Sequence, residues 1–320
     1  MAAGSSSIKG QTVAPIVGPS FARHESFHPR FGWIKKGFDK ASAEPSIFLR
    51  EDAAVVLGVG KNMVRAIRYW CNAFKVLDES NDNKTRVTTA TKFGSKLLSA
   101  DGWDPFLETD GALWLLHWYL LSSPCQATTW EFVFSKLRQN EFTADDLVSH
   151  LTDYVKTHYS GTSVAESSLK NDISCLLRMY GQASEKIEAN EETIVCPFVS
   201  LGLIEHIPNS KIYAFRIGAK PSLPPEIVVA ACLQYAHQTR LGQRSISLSH
   251  LLYDHLSPGQ CFKLTESSLY SALEAVAIKN SGVLLSDTTG IAQLQFQDEP
   301  QLLAERLLDR YFRMQHGASR

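Results

Sequence analysis

The sequence contains no C-x-x-C pair. Its six cysteines, Cys71, Cys125, Cys175, Cys196, Cys232 and Cys261, are spread at wide, irregular intervals along 320 residues, mostly beside apolar neighbours. Such spacing gives no support to a disulfide framework, a cysteine zinc site or an iron–sulfur cluster. Long hydrophobic runs are also missing: no window approaches the roughly 18 consecutive apolar residues of a spanning helix. Residues 1–20 lack the basic start and long apolar core of a secretory signal, and their Gly, Ser, Pro and Ala content predicts a loose tail. Nothing points to a bound nucleotide. These absences predict a cytoplasmic protein with reduced thiols and no membrane span. With 44% hydrophobic residues the chain can bury a large core, enough for two or three modules.

Net charge is nearly absent too, at −1, but only as a sum over two unlike parts. Residues 1–100 hold 15 Lys/Arg against 8 Asp/Glu, a net of +7, and residues 101–320 hold 17 against 25, a net of −8. A basic first third suits a polyanion, and an acidic remainder suits protein or solvent.

The clearest local pattern begins at Arg50. Acidic Glu51 and Asp52 open a short helix that stops at Gly58, Gly58-Val59-Gly60 forms a turn, and a second helix is predicted over about residues 61–74. At 100° per residue Met63, Val64, Ile67, Trp70, Cys71 and Phe74 share one face of that helix. Lys61, Asn62, Arg65, Arg68, Tyr69 and Asn72 share the other. Lys75-Val76-Leu77 and Arg86-Val87-Thr88-Thr89 then bracket an Asn/Asp/Ser run, the pattern of a hairpin. Helix, tight turn, basic helix and hairpin describe a winged helix-turn-helix, whose second helix suits double-stranded DNA because Arg pairs with guanine edges or phosphates and Asn with adenine. A protein-docking module would look similar.

Upstream, "FARHESFHPRFGWIKKGFDK" (residues 21–40) packs two histidines, five basic residues and five aromatics together and spells H-E-x-x-H. A zinc peptidase needs both histidines a turn apart on one continuous helix. Pro29 directly after His28, and Gly18-Pro19 just before the segment, leave that helix no room. Two readings stand side by side. In one, Phe21, Phe27, Phe31, Trp33 and Phe38 anchor the segment on the winged helix. In the other, Arg30, Lys35 and Lys36 hold a phosphate backbone while His24 and Glu25 serve proton transfer.

After the hairpin, Asp101, Asp104 and Glu108 could collect Mg²⁺ or Mn²⁺ for phosphodiester chemistry, or act as turn and capping residues. Asp110 is expected to cap the apolar helix 112–121, and His117 within it is expected to be a satisfied core histidine. Further helices are predicted over 131–140, 144–159 and 168–180, and a strand over 212–217. The stretch 247–296 again reads helix, turn, helix, hairpin. The expected architecture is mainly α with small β-hairpins, an α+β tandem of winged helix-turn-helix-like modules. Its partition is a tail over 1–20, a DNA-binding domain over 21–100, a helical middle domain over 101–190 and a winged-helix-like domain over 191–320. The later modules lack a basic ridge, so packing, docking or formation of a homodimer is their expected work.

The stretches "HESFHPRFGWIKKGFD", "FLREDAAVVLGVGKNMVRAIRYWCNAF", "DGWDPFLETDGALWLLHW", "CPFVSLGLIEHI" and "LSPGQCFKL" resemble a bacterial family labelled as a domain of unknown function. Its better-understood members are similar to the SspB component of single-strand DNA phosphorothioation systems, and the resemblance runs from about residue 21 to 312. It implies a cytoplasmic DNA nickase of a bacterial defence and modification system. The implied partners are a cysteine desulfurase and an ATP-dependent sulfur-transfer protein. His24, Glu25 and Arg30 match the family's first motif and Lys61, Asn62, Arg65 and Arg68 its second, while His28 departs from the first. A transcription regulator and a non-catalytic DNA-binding scaffold are the rival expectations.

Overall fold

The computed structural model describes residues 18–82, 85–159, 161, 163–181, 196–279, 282–288 and 291–318, so most of the expected tail lies outside the described residues. The segment expected only to anchor or to touch phosphate carries a helix, α1 (Trp33–Ala43), which lays Trp33, Ile34 and Phe38 into the core. It is followed by α2 (Ala53–Leu57), which stops at Gly58 with φ of 62°, a left-handed position that glycine takes without strain. Next comes α3 (Lys61–Ala73), whose apolar face is buried as its spacing demands: Val64, Ile67, Trp70 and Cys71. Gly37 lets α1 lie directly on α3, since a Cβ there would sit 2.6 Å from the Cys71 sulfur and 2.7 Å from Ile67. Phe31 is 64% exposed and does not anchor the segment as expected; the chain turns outward at Gly32 to start α1. The hairpin is β1 (Leu77–Asp82) against β2 (Thr85–Ala90), in antiparallel register with Leu77 opposite Ala90. Thr91 then caps α4 (Lys92–Leu98), its hydroxyl accepting the Gly94 N–H.

The helix α5 (Asp110–Leu121) is apolar almost all round and therefore sits at the centre of the core. Thr109 is its cap, accepting the Ala112 N–H at 3.2 Å, and Asp110 is the first helical residue instead of the cap. His117 is fully buried and bonded on both ring nitrogens, to the Tyr180 hydroxyl at 2.8 Å and to the Cys261 carbonyl at 2.9 Å. The expected helix 131–140 is cut short. α6 (Thr128–Glu131) runs into a π-helical turn over Phe132–Lys136, and Leu137 then turns extended with ψ of 127°. That exit frees β3 (Glu141–Thr143), after which a Thr143/Asp146 capping box opens α7 (Ala144–His158), followed by α8 (Glu166–Tyr180). The strands β4 (Ile204–His206) and β5 (Ile212–Phe215) complete a three-stranded antiparallel sheet with β5 in the middle. This sheet joins residues on both sides of the expected boundary at 190/191.

Pro225 is the first residue of a helix, α9 (Pro225–Thr239), where its missing N–H is harmless. A similar order then recurs, with a third α-helix where the first set has a 3-10 turn over Pro197–Leu201: β6 (Ser245–Ser247), α10 (Leu248–Tyr253), α11 (Pro258–Phe262), α12 (Glu266–Ala277), β7 (Val283–Thr288) and β8 (Ile291–Phe296), with β8 in the middle of its sheet. The last helix, α13 (Pro300–Ala318), packs on α9 and returns to the N-terminal part. There Lys92 pairs with Glu305 at 2.8 Å, Trp103 donates to Asp309 at 2.8 Å, and Trp103 stacks on Phe312. The architecture is thus α+β, helices with three small antiparallel sheets among the described residues. Buried lysines close helix ends: the Lys220 ammonium donates to the carbonyls of Gly218, Phe262 and Lys263 at 2.6–2.8 Å. Among the described residues no helix is long and apolar enough to cross a membrane.

Candidate functional site

A cleft of about 870 Å³ is built mainly from four parts of the chain. The outward side of α3 supplies Arg65, Arg68, Tyr69 and Asn72; the segment before α1 supplies Arg23 and Glu25. The hairpin supplies Asp78, Glu79 and Arg86, and the far side is closed by Ser163 before α8 and Ser168 in its first turn. Four arginines face three carboxylates across this space, so the cleft is strongly polar with a small positive balance.

The segment that forms one rim is held in an uncommon backbone. Ala22, Glu25 and Ser26 all have positive φ, 54°, 50° and 64°, which for non-glycine residues costs roughly 1 kcal/mol or more apiece. What holds it is a buried node on α8. Asp172 accepts from the Ala22 N–H at 2.8 Å and the Thr129 hydroxyl at 2.7 Å, and bonds the His24 Nε2 at 2.7 Å. His24 is only 1% exposed, lies parallel to Trp70 and edge-on to Trp130, and its Nδ1 has no hydrogen-bond partner. Trp70 donates to the Phe27 carbonyl at 2.9 Å, and Arg178 to the Ser26 carbonyl at 2.8 Å. Burial, with the Asp172 charge adding to it, holds the Tyr69 phenol well above its ordinary pKa, so it stays a hydrogen-bond donor at neutral pH.

The expected site residues are therefore divided. Glu25 reaches the cleft and faces Arg65 at 3.5 Å. His24 lies beneath the rim, and Arg30 rests over the rings of Phe27 and Trp33 at 5.6 and 5.3 Å, outside the cleft lining. Lys35 is tied to Asp39 at 2.6 Å and to the Leu98 carbonyl, and Lys36 to the Leu57 carbonyl, so neither belongs to the cleft. On α3, Lys61, Asn62 and Arg65 are exposed as the wheel predicts. Arg68 instead forms a two-pronged pair with Glu79, at 2.6 and 2.7 Å. Asn72 is only 8% exposed and donates to the same carboxylate at 2.9 Å, because β1 packs over this end of the helix.

The acidic stretch does not converge. Both oxygens of Asp104 are engaged, accepting from the Glu108 and Thr109 N–H groups and the Thr109 hydroxyl at 2.7–3.0 Å, while Asp101 and Glu108 are exposed. Among the described residues no three His, Cys, Asp or Glu side chains gather as a ligand set for a metal. A second cavity of about 270 Å³ lies between α4, α5, α9 and α13, but its lysines are already paired, Lys92 and Lys96 with Glu305, and Lys75 with Ser122. All six cysteines are free; burial raises the Cys125 and Cys196 thiols to about 12, which leaves them protonated.

Sequence reasoning did not find Asp172, Glu79, Arg23 or Arg86. Asp172 is 148 residues from its histidine, and no periodicity links them. Glu79 and Arg86 carried a signal in their place on the hairpin that follows the basic helix.

No curated protein matches the chain. Two solved structures do: a magnesium ion-bound SspB crystal structure with a TM-score of 0.87 and an SspB crystal structure with a TM-score of 0.84. In both, the identity is 38%, covering 92% of this chain and 88% of the other. The family model described as a protein of unknown function, DUF4007, matches residues 21–312. The chain belongs to this DUF4007 family and is an SspB-type member of it.

Proposed function

We propose that the chain is the DNA-engaging component of a phosphorothioate modification system. In this reading it grips duplex DNA in the arginine-lined cleft and opens one strand, so that a cysteine desulfurase and an ATP-dependent sulfur-transfer protein can act on the backbone in the cytoplasm. The observation that carries the reading is the meeting of Arg23, Arg65, Arg68 and Arg86 in one cleft beside the exposed start of α3. Planar guanidinium groups are the side chains best suited to phosphate oxygens. The layout of α1–α3 with its hairpin fits a winged helix. The strand, helices and hairpin of the two later units, each with the last strand in the middle, fit the same module.

For the cutting step, Glu25 is the one expected acid or base that lines the cleft: it would take a proton from a water attacking the phosphorus while Arg65 and Arg23 hold the phosphate, the P–O bond to the departing sugar oxygen breaks, and that oxygen takes its proton from solvent. His24 acts at most as a positioning residue, through the segment it pins to Asp172. Magnesium bound to one SspB crystal structure makes Mg²⁺ the first ion to test, with Mn²⁺ beside it. The residues expected to hold it do not meet, so no step is assigned to a metal.

A second reading, a non-cutting scaffold, is favoured by the burial of His24 and the position of Arg30. One pair of experiments tests both. Arg23→Ala/Arg65→Ala is expected to weaken duplex binding and to lower the slope of log affinity against log salt by about 2; an unchanged slope overturns the cleft as the interface. Supercoiled plasmid incubated with and without EDTA across Mg²⁺ and Mn²⁺ should gain nicks. Intact plasmid bound by the protein decides for the scaffold.

A further inference from the structure

Three of the cleft's nitrogen donors, from Arg68, Asn72 and Arg86, gather round one carboxylate, that of Glu79. Glu79 receives Arg68 Nε on one oxygen at 2.6 Å and Arg68 Nη2 on the other at 2.7 Å. Asn72 Nδ2 adds a third bond at 2.9 Å, and Arg86 stands 3.9 Å away. The amide is itself fixed, because Asn72 is 8% exposed and also donates to the Arg68 carbonyl at 2.8 Å. A two-pronged guanidinium, a fixed amide and a second guanidinium closing on one pair of oxygens is what a phosphodiester also requires. The pair is not sealed: the Arg68 and Glu79 side chains are 21% and 28% exposed, on the wall of the cleft.

We infer that this position is a phosphate site whose resident occupant is Glu79, and that a nucleic-acid phosphodiester displaces the carboxylate when the cleft fills. The inference rests on the reading of the cleft as the nucleic-acid interface. Exchange of one anion for another keeps every donor satisfied, so displacement avoids the penalty of stranding Arg68 or Asn72 without a partner. A partly exposed pair of this kind is weak, within reach of a phosphate contact that also releases counterions. Arg65 is differently placed. It is 66% exposed and its pairing with Glu25 is longer, at 3.5 Å, so it meets an approaching polyanion while giving up a looser partner than Arg68 does. Glu79 would thus discriminate: weak or poorly placed anions leave the fork closed, and a phosphate in register opens it.

Asp78 makes the control, since it lines the same cleft and carries the same charge but is exposed. Duplex affinity is measured over a salt series for the wild type, Glu79→Gln, Asp78→Asn, Arg68→Ala and Glu79→Gln/Arg68→Ala, with thermal unfolding of each. Glu79→Gln is expected to tighten binding about fivefold and to tighten it more than Asp78→Asn does. Arg68→Ala is expected to flatten the salt slope by about 1 and, in the double variant, to cancel the gain. Equal gains from Glu79→Gln and Asp78→Asn would reduce Glu79 to a general charge effect and overturn the inference. So would an unchanged salt slope in Arg68→Ala, and that measurement decides the matter if Glu79→Gln does not fold. A wild-type duplex affinity indifferent to Arg23→Ala/Arg65→Ala sinks the cleft reading itself. Normal loss in that variant with no separate effect at Glu79 or Arg68 sinks this inference alone.

Discussion

Helices α3 and α12 stand in comparable places, each before a hairpin, yet they present opposite outer faces. α3 buries Val64, Ile67, Trp70 and Cys71 and exposes Lys61, Asn62 and Arg65. α12 buries Leu269, Ala272, Leu273 and Val276 and exposes Glu266, Ser267, Ser271 and Glu274. The inner faces obey the same period because burial of an apolar stripe is what makes either helix stable. The outer faces owe nothing to that requirement. Their difference in charge therefore bears on what each unit meets, and the proposal puts nucleic acid against α3 alone.

If the inner faces are equivalent, both units must fail when they are hollowed. Trp70 is fully buried, stacks between His24 and Phe74, and holds the Phe27 carbonyl. Trp70→Ala is expected to cost about 3–5 kcal/mol and to loosen the rim that carries Glu25. Leu273→Ala, equally buried on α12, should cost about 2–5 kcal/mol. Denaturant unfolding of both, beside the wild type, measures this. A small loss at Trp70 alone would mean that α3 is not packed as α12 is.

The next effect is one the units share. Burial holds the His117 pKa down from 6.5 to about 4, and the Lys220 and Lys263 charges push the same way. The Tyr180 hydroxyl and Cys261 carbonyl are its hydrogen-bond partners. Between pH 6.5 and about 4 the unfolded chain binds a proton at His117 that the folded chain refuses, so folding stability falls as pH falls through this window. The loss attributable to this group approaches roughly 3 kcal/mol at the lower end. It is read by thermal unfolding from pH 7 to 4 against His117→Gln, which should be less stable at pH 7 and flatter toward acid. A wild-type curve as flat as the variant's would show that His117 accepts its proton in place.

Much of this layout was legible because local patterns made it. The period of Val64, Ile67, Trp70 and Cys71 specified α3 and its inner face, and Leu113 to Leu121 specified a central helix, since neither needs a distant partner to be recognised. The failures share a cause. The helix wheel treated Arg68 and Asn72 as free because it cannot contain Glu79, which reaches them only once β1 folds back over α3. His24 looked like a reactive group, and its partner Asp172 lies on another helix far along the chain. The helix expected through Asn140 hid β3, because the apolar pattern of Phe132 to Leu137 suits a helix as well as the exit that the sheet pairing with β5 selects. Arg23 needed the cleft to exist before its position meant anything.

The smallest expected effect is the sharpest check on the contrast between α3 and α12. Glu266→Ala/Glu274→Ala removes two negative charges from the exposed face of α12 and touches no buried contact. Stability should stay within about 0.5 kcal/mol of the wild type. Salt screens charges more than about 8 Å apart at physiological ionic strength, so carboxylates that do not face the nucleic acid change its affinity by less than about twofold. The salt slope should not move at all, because slope counts phosphates neutralised, and α12 neutralises none in this arrangement. A steeper slope in this variant would mean that the third unit also lies along the nucleic acid. The acidic face would then be a brake on binding, the charge difference between the helices would no longer divide their partners, and the arginine cleft would be one contact among several.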